Sequence, residues 1–499
     1  MKYVIGVDLG TSAVKLLLVN QLGEVVKEVS KSYPLIQKKA GYSEQDPNEW
    51  VTQTLAGLTE LLQHFQGDKA AIQGMSFSGQ MHGLVLMDNN NQIIRPAILW
   101  NDTRTTDQCK QIYNIVGEKR LLEITKNPAL EGFTLPKLLW VKANEPGNYQ
   151  KAAKFVLPKD YLRYRLTGQL HMDYSDAAGT LLLDINKHQW STEICELLDI
   201  STSICPPLIG SHESVGKINA EIAADTGLSP ATRVFAGGAD NACGAIGSGI
   251  LEDGKTLCSI GTSGVVLSYE STNDKDFHGE VHYCNHAVPD AYYTMGVTLA
   301  AGHSLSWFKE VVAKEDSYEN LLNEISAVPP GSNGLLFTPY ISGERTPHAD
   351  ANIRGSFIGM DSSHERRDFV RAVLEGITFS LHESISIFRK SGKQIDTVIS
   401  TGGGAKNSEW LQMQADIFNA RIIKLSSEQG PGMGAAMLAA FGCDWFDSLQ
   451  ACADTFLQVE HEFYPDSDKV KMYQQLFLLY KNIYYQTKEL NEALVDYRK

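Results

Sequence analysis

A chain of 499 residues exceeds what one hydrophobic core usually serves, so two domains of roughly 250 residues are expected. Its formal charge of −15 excludes a general binder of nucleic acid or of anionic membranes, while leaving room for a locally positive pocket. Eight cysteines without a Cys-x-x-Cys pair fit neither a zinc site nor a disulfide framework, and with no apolar run of about eighteen residues they predict a cytoplasmic protein with reduced thiols.

From the start, Tyr3 to Val19 predicts strand, tight turn, strand, with β-branched residues flanking Asp8-Leu9-Gly10-Thr11-Ser12. Asp8 at the strand end can hold Mg²⁺ through water, Gly10, Thr11 and Ser12 offer amides and hydroxyls to phosphate, and Lys15 adds a positive charge nearby. Asp46 as N-cap, Pro47 at the first helical position and Glu49 open a surface helix carrying Val51, Leu55, Leu58 and Leu62. Ile72 to Met87 reads as two short strands around Ser78 to Gly83, a loop where Gln80, Met81 and His82 crowd the groups that bind polyols. Asp102 and Arg104 follow a further strand and either face the same cleft or pair with each other. Leu157 to Gly168 predicts a short amphipathic helix and Asp173 to Thr180 a polar turn.

Val234 to Val266 is the densest stretch. Asp240 follows Gly237-Gly238-Ala239 and precedes Asn241, so small neighbours leave its carboxylate reachable, as a catalytic base requires. Some twenty residues on, the turn Gly261-Thr262-Ser263-Gly264 leaves a strand with its backbone amides free to cradle phosphate. This turn repeats the first one: Thr11 and Thr262 are 251 positions apart. So wide a repeat implies two related domains, each giving one hairpin to a shared cleft with a nucleoside triphosphate between them.

Further along, Tyr340 to Gly355 is polar, turn-rich and placed to border the cleft, and Arg366 to Phe388 has the four-residue apolar spacing of a buried helix. Val398 to Trp410 reads as a strand ending in Gly402-Gly403-Gly404, with Asn407 before a helix. The bare backbone lets a flat adenine ring approach. Pro431 to Gly442 predicts a close-packed helix of small residues, and a long amphipathic segment follows Pro465.

In this order, over nearly the whole chain, these motifs resemble the FGGY carbohydrate kinases. The resemblance implies an α/β fold of two ribonuclease-H-like domains of the actin, hexokinase and Hsp70 kind, residues 1–247 and 248–499, flanking a central cleft for ATP and Mg²⁺. It implies Asp240 as catalytic base, with Asp8 at the metal; Gly10, Thr11, Ser12, Lys15, Gly261, Thr262 and Ser263 at the phosphates; and Gly403, Gly404 and Asn407 at the adenosine. Met81, His82, Asp102, Asp240 and Asn241 are the implied sugar contacts, with His82 either donating to or accepting from a hydroxyl. The Gln80 to Gly83 loop resembles members acting on D-xylulose, so in-line transfer of the γ-phosphoryl group to its terminal hydroxyl is expected. The implied partners are a small sugar and ATP, with no nucleic acid or membrane, and a homodimer is a possible assembly. Because Ser78 to Gly83 contains no Arg or Lys, a neutral ketose is expected to bind in preference to gluconate, unless Arg104 or Lys159 reaches the cleft. The alternatives are a kinase for gluconate, ribulose or glycerol and, more remotely, a non-catalytic actin-like nucleotide binder.

Overall fold

The computed structural model describes residues 1–498 and contains two seven-stranded sheets built on one plan. In the first, β1 (Tyr3–Leu9), β2 (Ala13–Asn20) and β3 (Val25–Ser32) form an antiparallel meander, and β1 pairs in parallel with β4 (Ile72–Gly79). Beyond β4 lie β6 (Arg233–Phe235), parallel to it, and β5 (Ser214–Lys217), antiparallel to β6, while the short β7 (Gly238–Ala239) extends along β4. The second sheet repeats this order. Strand β8 (Lys255–Ile260) starts a meander through β9 (Gly264–Glu270), with β10 (His282–Asn285) at the edge beyond β11 (Tyr292–Thr298). On its other side β8 pairs in parallel with β12 (Thr397–Gly402), followed by β13 (Arg421–Leu425) and the antiparallel β14 (Val459–Phe463).

The central strands are apolar on both faces, as strands between two helical layers must be: Val4, Ile5, Val7 and Leu9 of β1 and Leu16 to Val19 of β2 are fully buried. The repeat seen in the sequence holds through the first strand of each hairpin and slips at the turn. Leu9 pairs with Val14, whereas Ile260 pairs with Gly264, so the second turn is one residue tighter. The slip moves every later side chain by one register position. Lys15 stands opposite Asp8, and the corresponding place opposite Ser259 is taken by Val265.

Helix α1 (Pro47–Gln63) begins as its capping residues predict, the Asp46 carboxylate accepting from the Asn48 amide at 2.9 Å. The segment from Asp173 to Thr180 differs from its expectation: it is buried, and Tyr174–Ala178 forms the short helix α3. Lys159, on α2 (Pro158–Thr167), inserts its ammonium among Asp160, Asp173 and Asp176 at 2.7, 2.8 and 3.2 Å. All four side chains are fully buried, and the lysine occupies the centre of what would otherwise resemble a metal site.

Asp240–Ile246 forms α4, and Gly430–Gly442 forms α8, with α5 (Ala301–Val312), α6 (Arg366–Lys390) and α7 (Ser408–Phe418) between them. Although α8 comes late in the chain, it packs against β1, β4 and α4. The approach is close enough to demand glycine: a Cβ built on Gly6 would stand 2.2 Å from the Gly432 carbonyl oxygen, and one on Gly434 1.9 Å from that of Cys243. The chain ends in the long helix α9 (Ser467–Ala493). Among the described residues no helix is long and apolar enough to cross a membrane, and all eight cysteines are free.

Candidate functional site

Three neighbouring strands deliver the two candidate carboxylates to one end of the first sheet. Asp8 of β1 lies in register with Ser78 of β4, and Ser78 in turn with Gly238 of β7, two residues before Asp240. Gly237 makes the crossing into β7 possible, with φ at +77° and no room for a Cβ, which would sit 2.2 Å from the Phe77 carbonyl oxygen. Behind β7, the Ser175 hydroxyl accepts the Ala239 amide at 2.9 Å and donates to Asp173, so the buried lysine cluster braces the strand that carries Asp240.

Each carboxylate keeps a window on the cleft but is otherwise walled by protein. Burial pushes the Asp8 pKa up, and Ser78 and Lys15 pull it part of the way back. Burial and then the charge of Asp8 push Asp240 to about 7, against the opposing amide of Asn241, which donates to Oδ1 at 2.7 Å. Two neighbouring carboxyls, one raising the other, beside the buried Ser78 hydroxyl make a donor set suited to a hard divalent cation.

The glycine turns supply amides on both sides. In the first, Gly10 N–H closes on Ala13 and the Thr11 carbonyl accepts from Gln45 Nε2 at 2.6 Å, while Ser12 is exposed. In the second, Gly261, Thr262 and Ser263 are all exposed. Lys15 is committed differently from expectation: its ammonium pairs with Glu28 at 3.2 Å and Gln429 at 2.5 Å, so it acts on Asp8 through its field. A cavity of about 710 Å³ runs from Gly261 and Thr262 to Gly403, Gly404 and Asn407, floored by Trp410. Asn407 spends its Oδ1 capping α7, at 2.9 Å from the Trp410 amide, which leaves its Nδ2 donors uncommitted by the cap.

A second cavity, of about 260 Å³, has Asp240, Asn241, Met81 and His82 in its wall. The His82 ring contacts the Gly179 carbonyl through Nδ1 at 2.7 Å. A carbonyl only accepts, so Nδ1 carries the proton and Nε2 is left as an acceptor, which selects the accepting one of the two roles the sequence left open. Burial first, then Lys137, hold the His82 pKa down to about 3, so the ring is neutral. Met81 packs its sulfur 3.4 Å from the Asn241 amide. A further cavity of about 310 Å³ shares Asp240 and Asn241 and continues past Ser259, Thr401 and Gly430. Asp240 therefore stands on the wall common to two compartments.

Asp102 belongs to neither. Its side chain is fully buried, with Oδ1 taking Arg104 Nε at 2.8 Å and Oδ2 taking Arg104 Nη2 and the Ser43 amide, both at 2.6 Å. Arg104 also pairs with Glu44 and lies over the Tyr42 ring, 3.6 Å from its centroid. The pair left open in the sequence is thus an internal ion pair. Arg104 and Lys159 are both consumed, and the cation of the smaller cavity is Arg345, from the turn-rich segment that sequence reasoning placed at the cleft without naming a residue. Trp100, Phe133 and His282 also line it and were missed. Trp100 is 44 % exposed and its indole donates to the Thr11 hydroxyl at 2.9 Å, which ties this cavity to the first glycine turn. Only the position of Trp100 beside Asp102 hinted at it; nothing in the spacing of Phe133, His282 or Arg345 connects them.

Two family descriptions match the chain: FGGY family of carbohydrate kinases, N-terminal domain, over residues 3–247, and the C-terminal domain of that family over residues 256–443. A xylulose kinase of Bacillus subtilis (strain 168) is 62 % identical over 499 residues, covering 100 % of both chains. The crystal structure of a ligand-bound xylulose kinase from Lactobacillus acidophilus superposes with a TM-score of 0.93 at 29 % identity, covering 98 % of this chain and 99 % of that one. A gluconate kinase from the same species gives 0.92 at 29 % identity, covering 97 % and 98 %. With both family domains matched in order along one chain, this protein belongs to the FGGY family of carbohydrate kinases.

Proposed function

We propose that this chain transfers the γ-phosphoryl group of ATP to the terminal hydroxyl of D-xylulose, giving D-xylulose 5-phosphate and ADP. Full-length similarity to a xylulose kinase supports the substrate. The observation that carries the mechanism is the place of Asp240 on the wall of the small cavity, which also reaches Ser263 of the second glycine turn and, through Trp100, the Thr11 hydroxyl of the first. On this reading residues 1–247 hold the sugar, the first turn and the base, and residues 248–499 hold the second turn and the adenosine cavity. Because the reaction draws on ATP, the reading also places the enzyme in the cytoplasm.

Asp240 takes the proton of the terminal hydroxyl as its oxygen attacks the γ-phosphorus, and the bond to the bridging oxygen breaks, leaving the electron pair on ADP. The amides of Thr11, Ser12, Thr262 and Ser263 oppose the phosphate charge from fixed positions, in turns closed by the Gly10 and Gly261 N–H groups, which costs no reorganisation during transfer. Gly403, Gly404 and Asn407 hold the adenosine, and Met81, His82 and Asn241 hold the sugar chain against Asp240. Asp8 would hold Mg²⁺ through water, with Asp240 close by. When bound, that cation neutralises charge on the phosphates. Most of the acceleration on this account is positioning and electrostatics.

The test is ATP consumption against D-xylulose, D-ribulose, glycerol and D-gluconate under identical conditions. D-xylulose should give the highest kcat/KM by at least about tenfold, the scale set by one unsatisfied polar contact. A comparable value for any other acceptor would overturn the substrate while leaving the kinase.

A further inference from the structure

Arg345 is the one cation in the wall of the small cavity. Its side chain makes no ion pair or hydrogen bond among the described residues; its backbone amide donates to Glu344 Oε1 at 2.8 Å and its carbonyl accepts from the Ala349 amide at 2.6 Å. Glu344 favours the charge from its neighbouring position but makes no ion pair with it. It is buried, accepts also from Leu299 N–H and the Ser380 hydroxyl, and burial pushes its pKa up to about 8, so it is largely protonated at neutral pH. Glu131 also favours the Arg345 charge but spends Oε1 on the Thr106 hydroxyl at 3.1 Å. The histidines beside Arg345, His82 and His282, are held neutral by burial and by Arg345 itself. The remaining wall is largely apolar: Trp100, Leu130, Phe133, Met295 and Val297.

A half-buried guanidinium with no partner is costly unless a ligand completes it, because desolvation is its dominant cost. It offers five donors in a planar fork, a match for the two oxygens of a carboxylate. We propose that Arg345 is a ligand-binding residue of this cavity, and that the cavity binds open-chain sugar acids more tightly than neutral polyols of the same length. The proposal rests on reading this cavity as the sugar site. It does not require the acid to be phosphorylated: a bound aldonate competes with the ketose, which presents hydroxyl and carbonyl oxygens to the same fork.

The test is calorimetric titration of the full chain, without nucleotide, with D-xylonate and with xylitol. The wild type should bind xylonate about ten- to a hundredfold more tightly, the range of a charge-assisted pair against neutral hydrogen bonds. Arg345→Gln should bring the two together by weakening xylonate, with xylitol within about threefold of wild type, and Arg345→Lys should restore part of the difference. Equal binding of both ligands by the wild type overturns the proposal, and so does an equal loss of both in Arg345→Gln. If Arg345→Gln does not fold, the wild-type comparison decides alone. Turnover of D-xylulose, measured alongside, separates this proposal from the assigned reaction. Turnover without a preference for xylonate overturns only the role of Arg345, whereas the preference without turnover overturns only the substrate.

Discussion

Replacing Asp240 by Asn should cost the enzyme its activity and make the protein more stable, and the two effects come from the same environment. The carboxyl is raised from 3.8 to about 7 by burial and by Asp8, so the folded state holds the proton more tightly than the unfolded chain. For an acid shifted upward the sign is fixed: ionisation destabilises the fold, with the penalty growing as pH rises through 3.8 and complete above about 7. At about 1.4 kcal/mol per pH unit the shift is worth about 4 kcal/mol at pH 8 and under about 2 at pH 5, both upper bounds because the side chain keeps a solvent-facing window. Asn cannot ionise, so Asp240→Asn should melt higher than wild type at pH 8, and the gain should shrink by more than half at pH 5. Sugar-dependent turnover should fall by about 10²–10⁴, the usual worth of a general base. Coupled assay of ADP release gives the activity, and thermal melts across pH give the stability. Turnover above half the wild-type value would refute the base, and a melting difference independent of pH would refute the burial and charge argument.

In the wild type, kcat/KM for the sugar should drop below about pH 7, because only ionised Asp240 accepts a proton. Asp8→Ala should lose turnover but keep sugar affinity near wild type when titrated without nucleotide, since Asp8 lies outside the small cavity; a large loss of sugar binding would contradict that placement. His82→Ala should lower kcat/KM for D-xylulose about ten- to a hundredfold, with Met81→Ala milder, and the wild-type profile should show no titration of His82 between pH 5 and 9, as its pKa is about 3. Asp102→Asn should act on stability, by about 3–5 kcal/mol for a broken buried pair, and not on KM; a selective rise in KM would return Asp102 to the sugar site.

The parts legible in the sequence are those whose physics is local. A glycine turn after an apolar strand, an acid among small residues and a capped helix each announce themselves within ten residues, and the wide repeat announced two sheets. What the sequence concealed depends on contacts between distant segments. Asp102 and Arg104 are two residues apart in either role, and only Ser43 and Glu44, brought from the other side of a strand pair, show that they face each other. In the sequence Asp173 belongs to a polar turn and Lys159 is a cation free to reach the cleft, because their charges cancel only once folded together. The cation argument failed in the same way: the loop around His82 has none, but Arg345 arrives from the other half of the chain. The one-residue slip between the hairpins was invisible because the two motifs align without a gap as text while their strands pair differently.

Helix α8 packs beneath the first sheet although it lies nearly two hundred residues beyond that sheet's last strand. During synthesis the first sheet therefore leaves the ribosome with the surface destined for α8 uncovered, Gly6 included. At about 5–20 residues per second the missing helix arrives some ~10–40 s later. Over that interval the face of the first sheet stays open to solvent, and a chain truncated before Gly430 lacks the helix that covers it.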